Sequence, residues 1–216
     1  PNDLVYGELG RYPIYINLYI KVIKYWLKLM RMDGNRLPVK AYHTLCILDG
    51  RGKKMWVTSI RQCLNSYGFG FVWDNQGVEC IPSFVKCFKQ RLIDCRWQDW
   101  HDHMYNSDRF AQYRLFKTTC EKEVYINIKM NRYIKGTLTK FRFDVSDIAC
   151  HRFRYQYKSE REMACRLCNN GKEDEIHFLF CCPALQDLRM KLIKPKYYTS
   201  PCSLKVNMLM ATKNET

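Results

Sequence analysis

The sequence lacks a long uninterrupted apolar run. Its longest apolar stretch, residues 14–30, is interrupted by Asn17 and by Lys21, Lys24 and Lys28. A membrane-spanning helix needs about 20 mostly apolar residues, whereas lysines at three- and four-residue steps form one stripe of an amphipathic helix. The chain also shows no secretory signal peptide, although it begins at Pro1 and not at Met. We therefore expect no membrane partner.

Acidic residues are scarce relative to basic ones. The chain has 21 Asp and Glu against 36 Lys and Arg, which gives a formal net charge of +15. Such an excess favours a polyanionic partner, with nucleic acid first and an anionic membrane surface second. Charge alone is a weak signal, because it also keeps an ordinary basic protein soluble.

Familiar catalytic motifs, internal repeats and low-complexity tracts are absent as well. Neither a G-x-x-x-x-G-K-[ST] phosphate loop nor a G-x-S-x-G nucleophile elbow occurs. No compact group of Asp, Glu and Lys suggests a nuclease. The 216 residues, 47% of them hydrophobic, suit one domain or a helical body with a small appendage.

Cysteine, by contrast, is abundant. The 12 cysteines are scattered, and several, such as Cys46 and Cys87, lie inside apolar runs with helical spacing. A free cysteine there behaves as a small buried hydrophobic residue, and a secreted disulfide scaffold would normally be shorter. We therefore predict a reducing, intracellular setting.

Apolar periodicity predicts a helical array. The first long helix is predicted to begin after Pro13 and to end at Asp33-Gly34-Asn35. Its core-facing side contains Ile16, Ile20, Ile23 and Leu27. The further predicted helices are Lys40–Leu48, Lys54–Tyr67, Pro82–His103, one capped by Ser107 or Asp108 that continues through Phe116, and Val124–Ile134; Gly68, Gly70 and residues 74–77 predict a loop.

A short strand is predicted at His151–Lys158, because HRFRYQYK alternates strictly. Period-two alternation is typical of a half-buried strand. The basic face would contact nucleic acid, and the aromatic face, with Phe153, Tyr155 and Tyr157, would pack in the core. The candidate phosphate contacts are Arg152, Arg154, Lys158 and Arg161. The alternative is an ordinary solvated face.

A metal-binding pattern follows this strand. Cys165 and Cys168 form a C-x2-C pair, His177 comes after eight more residues, and Cys181 and Cys182 follow. Two thiolates at this spacing bind one zinc ion from a tight turn, which Asn169-Asn170-Gly171 would allow. Acidic residues 173–175 favour a helix start.

The identity of the last ligand stays open from spacing alone. Cys181 shares a helical face with His177, whereas Cys182 requires the helix to end between them. Three thiolates and one imidazole leave no position for water, so we predict a structural zinc site. The alternative is a set of buried free cysteines beside a surface histidine.

These predictions define the expected architecture. The fold class is mainly α, a helical array followed by a short basic strand and a small zinc-binding module. We expect a helical region at 1–140, the strand and the zinc module at 141–194, and a partly helical tail at 195–216.

The run CRLCNNGKEDEIHFLFCCP, residues 165–183, resembles the C-terminal zinc-binding CCHC segment of LINE-type (non-LTR) retrotransposon reverse transcriptases. The resemblance implies Cys165, Cys168, His177 and Cys182 as the zinc ligands. It extends to YGELGRYPIYI from Tyr6, FKQRLIDC from Phe88 and IKPKYYTSP from Ile193, and so to nearly the whole chain.

Membership in that family implies a parent RNA-directed DNA polymerase. The chain has no Y-x-D-D sequence, so we expect a downstream fragment, or a decayed copy, with no catalytic residues and no small-molecule substrate. Only a short segment follows Pro183 in this sequence, so we expect no nuclease domain in it. The implied setting is intracellular, in the cytoplasm and nucleus.

Two functions fit these expectations. The first is a nucleic-acid-binding module that helps to hold template RNA or target DNA. The second is a zinc-stabilised scaffold that docks on the upstream polymerase domain of the parent protein. Salt-dependent affinity for oligonucleotides distinguishes the first from the second.

Overall fold

The protein, seen in a computed structural model that describes residues 2–211, is mainly helical. Its contacts group the chain into two compact units. One unit is Tyr12–Trp100, and the other contains the described residues on either side of that segment. Within residues 2–211 no strand forms, and extended pairing is limited to an isolated antiparallel bridge between Ala164 and Lys172. The predicted mainly helical fold is confirmed.

In chain order the helices are α1 (Asn2–Leu9), α2 (Ile14–Met30), α3 (Leu37–Gly50), α4 (Trp56–Ser66), α5 (Gly70–Asp74), α6 (Ile81–Asn106), α7 (Tyr113–Phe116), α8 (Val124–Asn127), α9 (Arg132–Arg142), α10 (Ala149–Arg152), α11 (Gln186–Leu192), α12 (Pro195–Tyr198) and α13 (Ser203–Ala211). Short 3-10 segments occur at Asp108–Phe110 and Pro183–Leu185, and a π-helical turn at His177–Cys181.

Helix α2 packs the apolar side that the sequence pattern predicted. Pro13 precedes its first residue in an extended conformation, which suits a residue that has no N–H to donate. Ile16, Ile23 and Leu27 are buried on one side. The three predicted lysines lie exposed on the other. The helix is therefore amphipathic, and no described helix is long and apolar enough to cross a membrane.

The Tyr12–Trp100 unit has its own hydrophobic core. Trp26, Val57, Leu64, Val72 and Phe88 are each fully buried within it. Burying such side chains stabilises a fold by about 1.5–3 kcal/mol each relative to exposure. Val72 lies on α5, in a segment where glycines predicted a loop, so burial of apolar side chains outweighs the poor helix propensity of glycine there.

The other unit is centred on a buried polar network. The Glu8 carboxylate, which is 2% exposed, accepts hydrogen bonds from the Tyr113 hydroxyl at 2.8 Å and the Tyr125 hydroxyl at 2.6 Å. The Arg142 guanidinium pairs with it at 2.9 Å. Removing one partner of such a buried pair leaves an unpaired charge and costs about 3–5 kcal/mol. This network fixes α1 against α7, α8 and α9.

One sequence prediction in this unit needs correction. The helix expected over Val124–Ile134 divides into α8 and α9, because the Asn131 side chain accepts the Tyr133 backbone N–H at 2.8 Å and caps a new helix start. The partly helical tail forms α12 and α13, and its residues 212–216 lie outside the described residues.

The basic strand predicted at His151–Lys158 does not form. Its beginning belongs to α10, where the Arg152 and Phe153 N–H groups donate to the carbonyls of Ile148 and Ala149 at 3.0 Å each. A turn follows, closed by a 2.9 Å hydrogen bond from the Gln156 N–H to the Phe153 carbonyl. A strand needs a neighbouring strand for its backbone groups. The described chain offers none here, so these groups bond locally.

Candidate metal centre

The first two predicted ligands, Cys165 and Cys168, lie on a tight turn. The Cys165 carbonyl accepts the Asn169 N–H at 2.7 Å, and the Cys165 N–H donates to the Gly171 carbonyl at 3.0 Å. Asn169 and Gly171 have positive φ angles of 53° and 77°. Asparagine and glycine adopt this conformation with the least strain. The local sequence therefore reverses the chain directly after the C-x2-C pair.

The other two ligands lie at the ends of the π-helical turn. The Asp174 carboxylate accepts the His177 backbone N–H at 2.8 Å and caps the turn. The Cys182 N–H then donates to the His177 carbonyl at 2.7 Å, a hydrogen bond over five residues. Such a turn is wider than an α-helical one. The turn ends at Cys181, as a Cys182 ligand requires, and Cys182 directly after it lies on the same side as His177.

All four side chains converge on one point. The ligand atoms of Cys165, Cys168, His177 and Cys182 lie within 4.8 Å of one another. The Cys165 and Cys182 sulfurs are 3.8 Å apart, and the Cys168 sulfur is 3.3 Å from His177 Nε2. The group could hold a metal ion, since three sulfurs and one imidazole nitrogen are a complete tetrahedral donor set.

Cys181, the competing candidate, is exposed, whereas Cys182 is buried. The sequence spacing alone did not decide which of these two cysteines is the last ligand. The five-residue hydrogen bond of the π turn brings Cys182 into the cluster and leaves Cys181 facing away from it. Cys181 is therefore an exposed thiol outside the cluster.

The electrostatics of the cluster favour deprotonation of one thiol before another. Burial opposes ionisation of Cys165, but hydrogen bonds from the backbone N–H groups of Cys168 and Leu167 outweigh it and lower the pKa of that thiol. Burial raises the pKa of the Cys182 thiol to about 11. A metal ion would bind both as thiolates, so its charge must displace the proton from Cys182.

Arg189, which the sequence analysis did not single out, bonds the backbone next to the cluster. Its buried guanidinium donates to the Cys182 carbonyl at 2.7 Å and to the Leu179 carbonyl at 2.9 Å. The Leu179 carbonyl lies in the π turn, and the Cys182 carbonyl, which also accepts the Leu185 N–H at 3.2 Å, follows directly after that turn. An arginine on a following helix carries no spacing signal, so only the fold could reveal this role.

The acidic residues before His177 divide their roles. The Glu173 carboxylate is buried and accepts the Ala149 N–H at 3.1 Å, which joins α10 to the metal-binding segment. The Glu175 carboxylate bonds His151 Nε2 at 2.8 Å. Of the three, Asp174 caps the turn with its side chain, and Glu175 is the first helical residue.

A second group, Cys150, His151 and Glu175, also has ligand atoms within 4.8 Å of one another. Its imidazole, however, is bonded on both nitrogens, to Ser146 at 2.7 Å and to Glu175 at 2.8 Å. Burial, reinforced by Glu175, raises the pKa of the Cys150 thiol, and the group offers only three ligand residues. We interpret this group as a hydrogen-bonded link between α10 and the metal-binding segment.

The residues predicted to contact nucleic acid lie just before the cluster in sequence. They differ in the groups with which they pair. Arg152 is 3.9 Å from the exposed Asp147 carboxylate. Lys158 pairs with Glu162 at 2.9 Å, and Arg161 is exposed. Arg154 differs, because its guanidinium pairs with the buried Asp144 carboxylate at 3.1 Å and also bonds the Asp108 carbonyl. Arg154 therefore anchors the segment.

The aromatic side chains of this segment are not in the core, contrary to the prediction. Tyr155 is 80% exposed and Tyr157 is fully exposed. Phe153 is half-buried, with the Arg152 guanidinium 4.5 Å and the Lys158 ammonium 5.0 Å from its ring centre. Without a strand, the alternating pattern no longer separates a packed face from a solvated one.

Comparisons with protein-family models, with curated proteins and with solved structures give no match for this chain. The functional interpretation therefore rests on the Cys and His cluster that could hold a metal ion and on the basic segment beside it.

Proposed function

We propose that this chain is a zinc-stabilised nucleic-acid-binding module that corresponds to the C-terminal part of a LINE-type reverse transcriptase. One observation carries the proposal: three cysteines and a histidine converge within 4.8 Å directly after an exposed basic segment. The resemblance of residues 165–183 to the family's zinc segment supports the wider assignment.

Zinc is the metal that this donor set favours. Soft thiolates with one imidazole in a tetrahedral set suit zinc, whereas magnesium and calcium prefer oxygen ligands. With four protein ligands no position remains for a reactive water, so the ion would be structural. Structural zinc contributes about 10–16 kcal/mol in finger peptides near neutral pH, enough to fix a segment with little core of its own.

Arg152, Lys158 and Arg161 are the proposed phosphate contacts, and Arg154 holds their segment in place. Each guanidinium or ammonium group that neutralises a phosphate releases a counterion, which makes the affinity depend on salt. The net charge of +15 would add a long-range attraction. The bound polyanion would be template RNA or target DNA, held for the polymerase domain of a parent protein.

The test is the salt dependence of binding to duplex DNA. We expect log K to fall by about 0.9 per phosphate contact for each unit of log salt. The triple variant Arg152→Glu, Lys158→Glu, Arg161→Glu should therefore flatten the slope by roughly 2–3. Arg154 is left unchanged because its loss would expose the buried charge of Asp144.

A matched control carries the same charge change elsewhere. Lys21→Glu, Lys24→Glu, Lys28→Glu alters three exposed lysines of α2 and should leave most of the slope intact. Equal flattening by both variants would show diffuse attraction without a site. If the unchanged chain binds DNA no better than another protein of similar charge, the alternative, a scaffold that docks on the polymerase domain, replaces the proposal.

A further inference from the structure

The segment Phe153–Lys158, called here the aromatic loop, is closed on itself. Arg152 and Lys158, one at each end, both lie over the Phe153 ring, at 4.5 and 5.0 Å from its centre. The Gln156 N–H closes the turn onto the Phe153 carbonyl at 2.9 Å. The chain therefore folds back around one aromatic ring.

The beginning of the aromatic loop is anchored to the rest of the unit, and its end is held by local hydrogen bonds. Arg154 pairs with Asp144 at 3.1 Å. Beyond the loop, the Glu162 carboxylate accepts hydrogen bonds from the Ser159 N–H at 3.0 Å and from the Lys158 ammonium at 2.9 Å. A loop held in this way presents its side chains in a fixed arrangement, which reduces the entropy lost on binding.

The side chains that the loop presents are two tyrosines. Tyr155 is 80% exposed and Tyr157 fully exposed. A tyrosine ring buries about 150–250 Å² when it packs, so leaving two rings in water forgoes a large stabilisation. The Arg154 guanidinium lies 5.9 Å from the Tyr155 ring centre, and Arg152 and Lys158 lie beside Phe153. Free aromatic faces bordered by cations are the chemistry that binds unpaired bases on a phosphate chain.

We propose that Tyr155 and Tyr157 form a stacking platform for an unpaired nucleic-acid strand. This inference rests on the proposed function and narrows it, since the bases of a duplex are already stacked and offer no free faces. The platform accepts any base, because every base has an aromatic face, and its contribution adds to the phosphate contacts.

A membrane surface is the competing partner for exposed rings beside cations. Interfacial segments usually add Leu, Phe or Trp that enter the acyl region. From Arg152 to Arg161 the sequence is RFRYQYKSER, which has no aliphatic side chain, and its one phenylalanine is covered by cations. The chemistry of the loop therefore favours nucleic acid.

The experiment compares binding of the full chain to a 15-nucleotide oligo(dT) strand and to a matched duplex by fluorescence anisotropy at one salt concentration. The variant Tyr155→Ala, Tyr157→Ala should weaken single-strand binding by at least about 30-fold, since stacking contributes about 1–3 kcal/mol per base and two rings are removed. Duplex binding and the salt slope should stay unchanged. Tyr155→Phe, Tyr157→Phe should keep single-strand affinity, because the ring is retained.

Tyr133→Ala is the matched control, since Tyr133 on α9 is also 80% exposed. Three results would each overturn the platform. The first is an equal loss of single-strand affinity in the Tyr133→Ala control, and the second is a loss in the Phe variant as large as in the Ala variant. The third is a parallel loss of affinity for the single strand and for the duplex. An Ala variant that loses affinity only for phosphatidylserine vesicles would also overturn it. If the unchanged chain binds neither nucleic acid, the proposed function itself fails. If it binds both and the tyrosines have no effect, only the platform fails.

Discussion

Cys181 and Cys182 are adjacent in sequence but differ in surroundings. Cys182 is buried against Cys165, and Cys181 is exposed. We expect purified protein to carry one zinc ion per chain, Cys182→Ser and Cys168→Ser to lose it, and Cys181→Ser to retain it. Metal analysis by mass spectrometry measures each case. Zinc retained by Cys182→Ser but lost by Cys181→Ser would show that the last ligand is misassigned.

Metal analysis also tests whether the second group, Cys150, His151 and Glu175, binds an ion. Because the His151 nitrogens are already bonded to Ser146 and Glu175, Cys150→Ser should leave the metal content unchanged. Two ions per chain, reduced to one by Cys150→Ser, would instead establish a second metal site.

Metal binding by the cluster should release protons. The pKa of Cys182 is raised to about 11 by burial in the metal-free protein, so at neutral pH this thiol is protonated and must lose its proton to bind. The apparent zinc affinity should therefore rise as pH rises from about 6 to 8. Calorimetry in buffers of different ionisation enthalpy counts the protons. Binding without proton release would mean that thiolates are not the ligands.

At the scale of elements, the turn at Gly171 positions the cluster. Its φ of 77° is in the left-handed region, and a β-carbon there would meet His177 Nδ1 at 3.6 Å, an ordinary contact. The cost of Gly171→Ala is therefore conformational, about 1–2 kcal/mol. We expect zinc affinity to fall roughly tenfold. Gly171→Asn should lose less, since asparagine tolerates this conformation better.

A competition titration against a chromophoric chelator measures these affinities. Gly34→Ala serves as the control, because that glycine has open space around it and no positive φ. Unchanged zinc affinity in Gly171→Ala would show that the turn does not position the ligands.

The sequence predicted the elements that depend on local signals. Lysine spacing predicted the exposed side of α2, and the C-x2-C pair with positive-φ residues after it predicted the turn at Cys165. The prediction of the basic strand was wrong, because alternation of side chains produces a strand only where a partner strand is present. Its residues became α10 and the aromatic loop, and Tyr155 and Tyr157 became exposed.

Contacts between distant residues were beyond the sequence. Glu8 pairs with Arg142 across 134 positions, and Arg189 bonds carbonyls of a turn whose π geometry no spacing rule distinguishes from an α-helix. The sequence therefore indicated the four residues that could hold a metal ion, but not the residues, such as Arg189, that bond the backbone next to them.

At the scale of the whole molecule, the two units differ in what stabilises them. The Tyr12–Trp100 unit has a continuous apolar core that includes Trp26, Val57 and Leu64. The described residues 163–182 have few buried apolar side chains, chiefly Phe180, and depend on polar links such as Glu173 with Ala149. Zinc would supply the stabilisation that this segment lacks, since metal binding and folding of such a segment are one equilibrium.

Chelation should therefore act on one part of the chain. In hydrogen exchange followed by mass spectrometry, a strong chelator should abolish protection at 163–182 and leave the amides around Trp26, Val57 and Leu64 protected, because their burial does not involve the metal. Cys168→Ser without chelator should reproduce the pattern, and Cys181→Ser should not. Protection at 163–182 that survives both treatments would mean that hydrogen bonds and packing alone hold the segment, and the converging sulfurs would then be a consequence of the fold and not its cause.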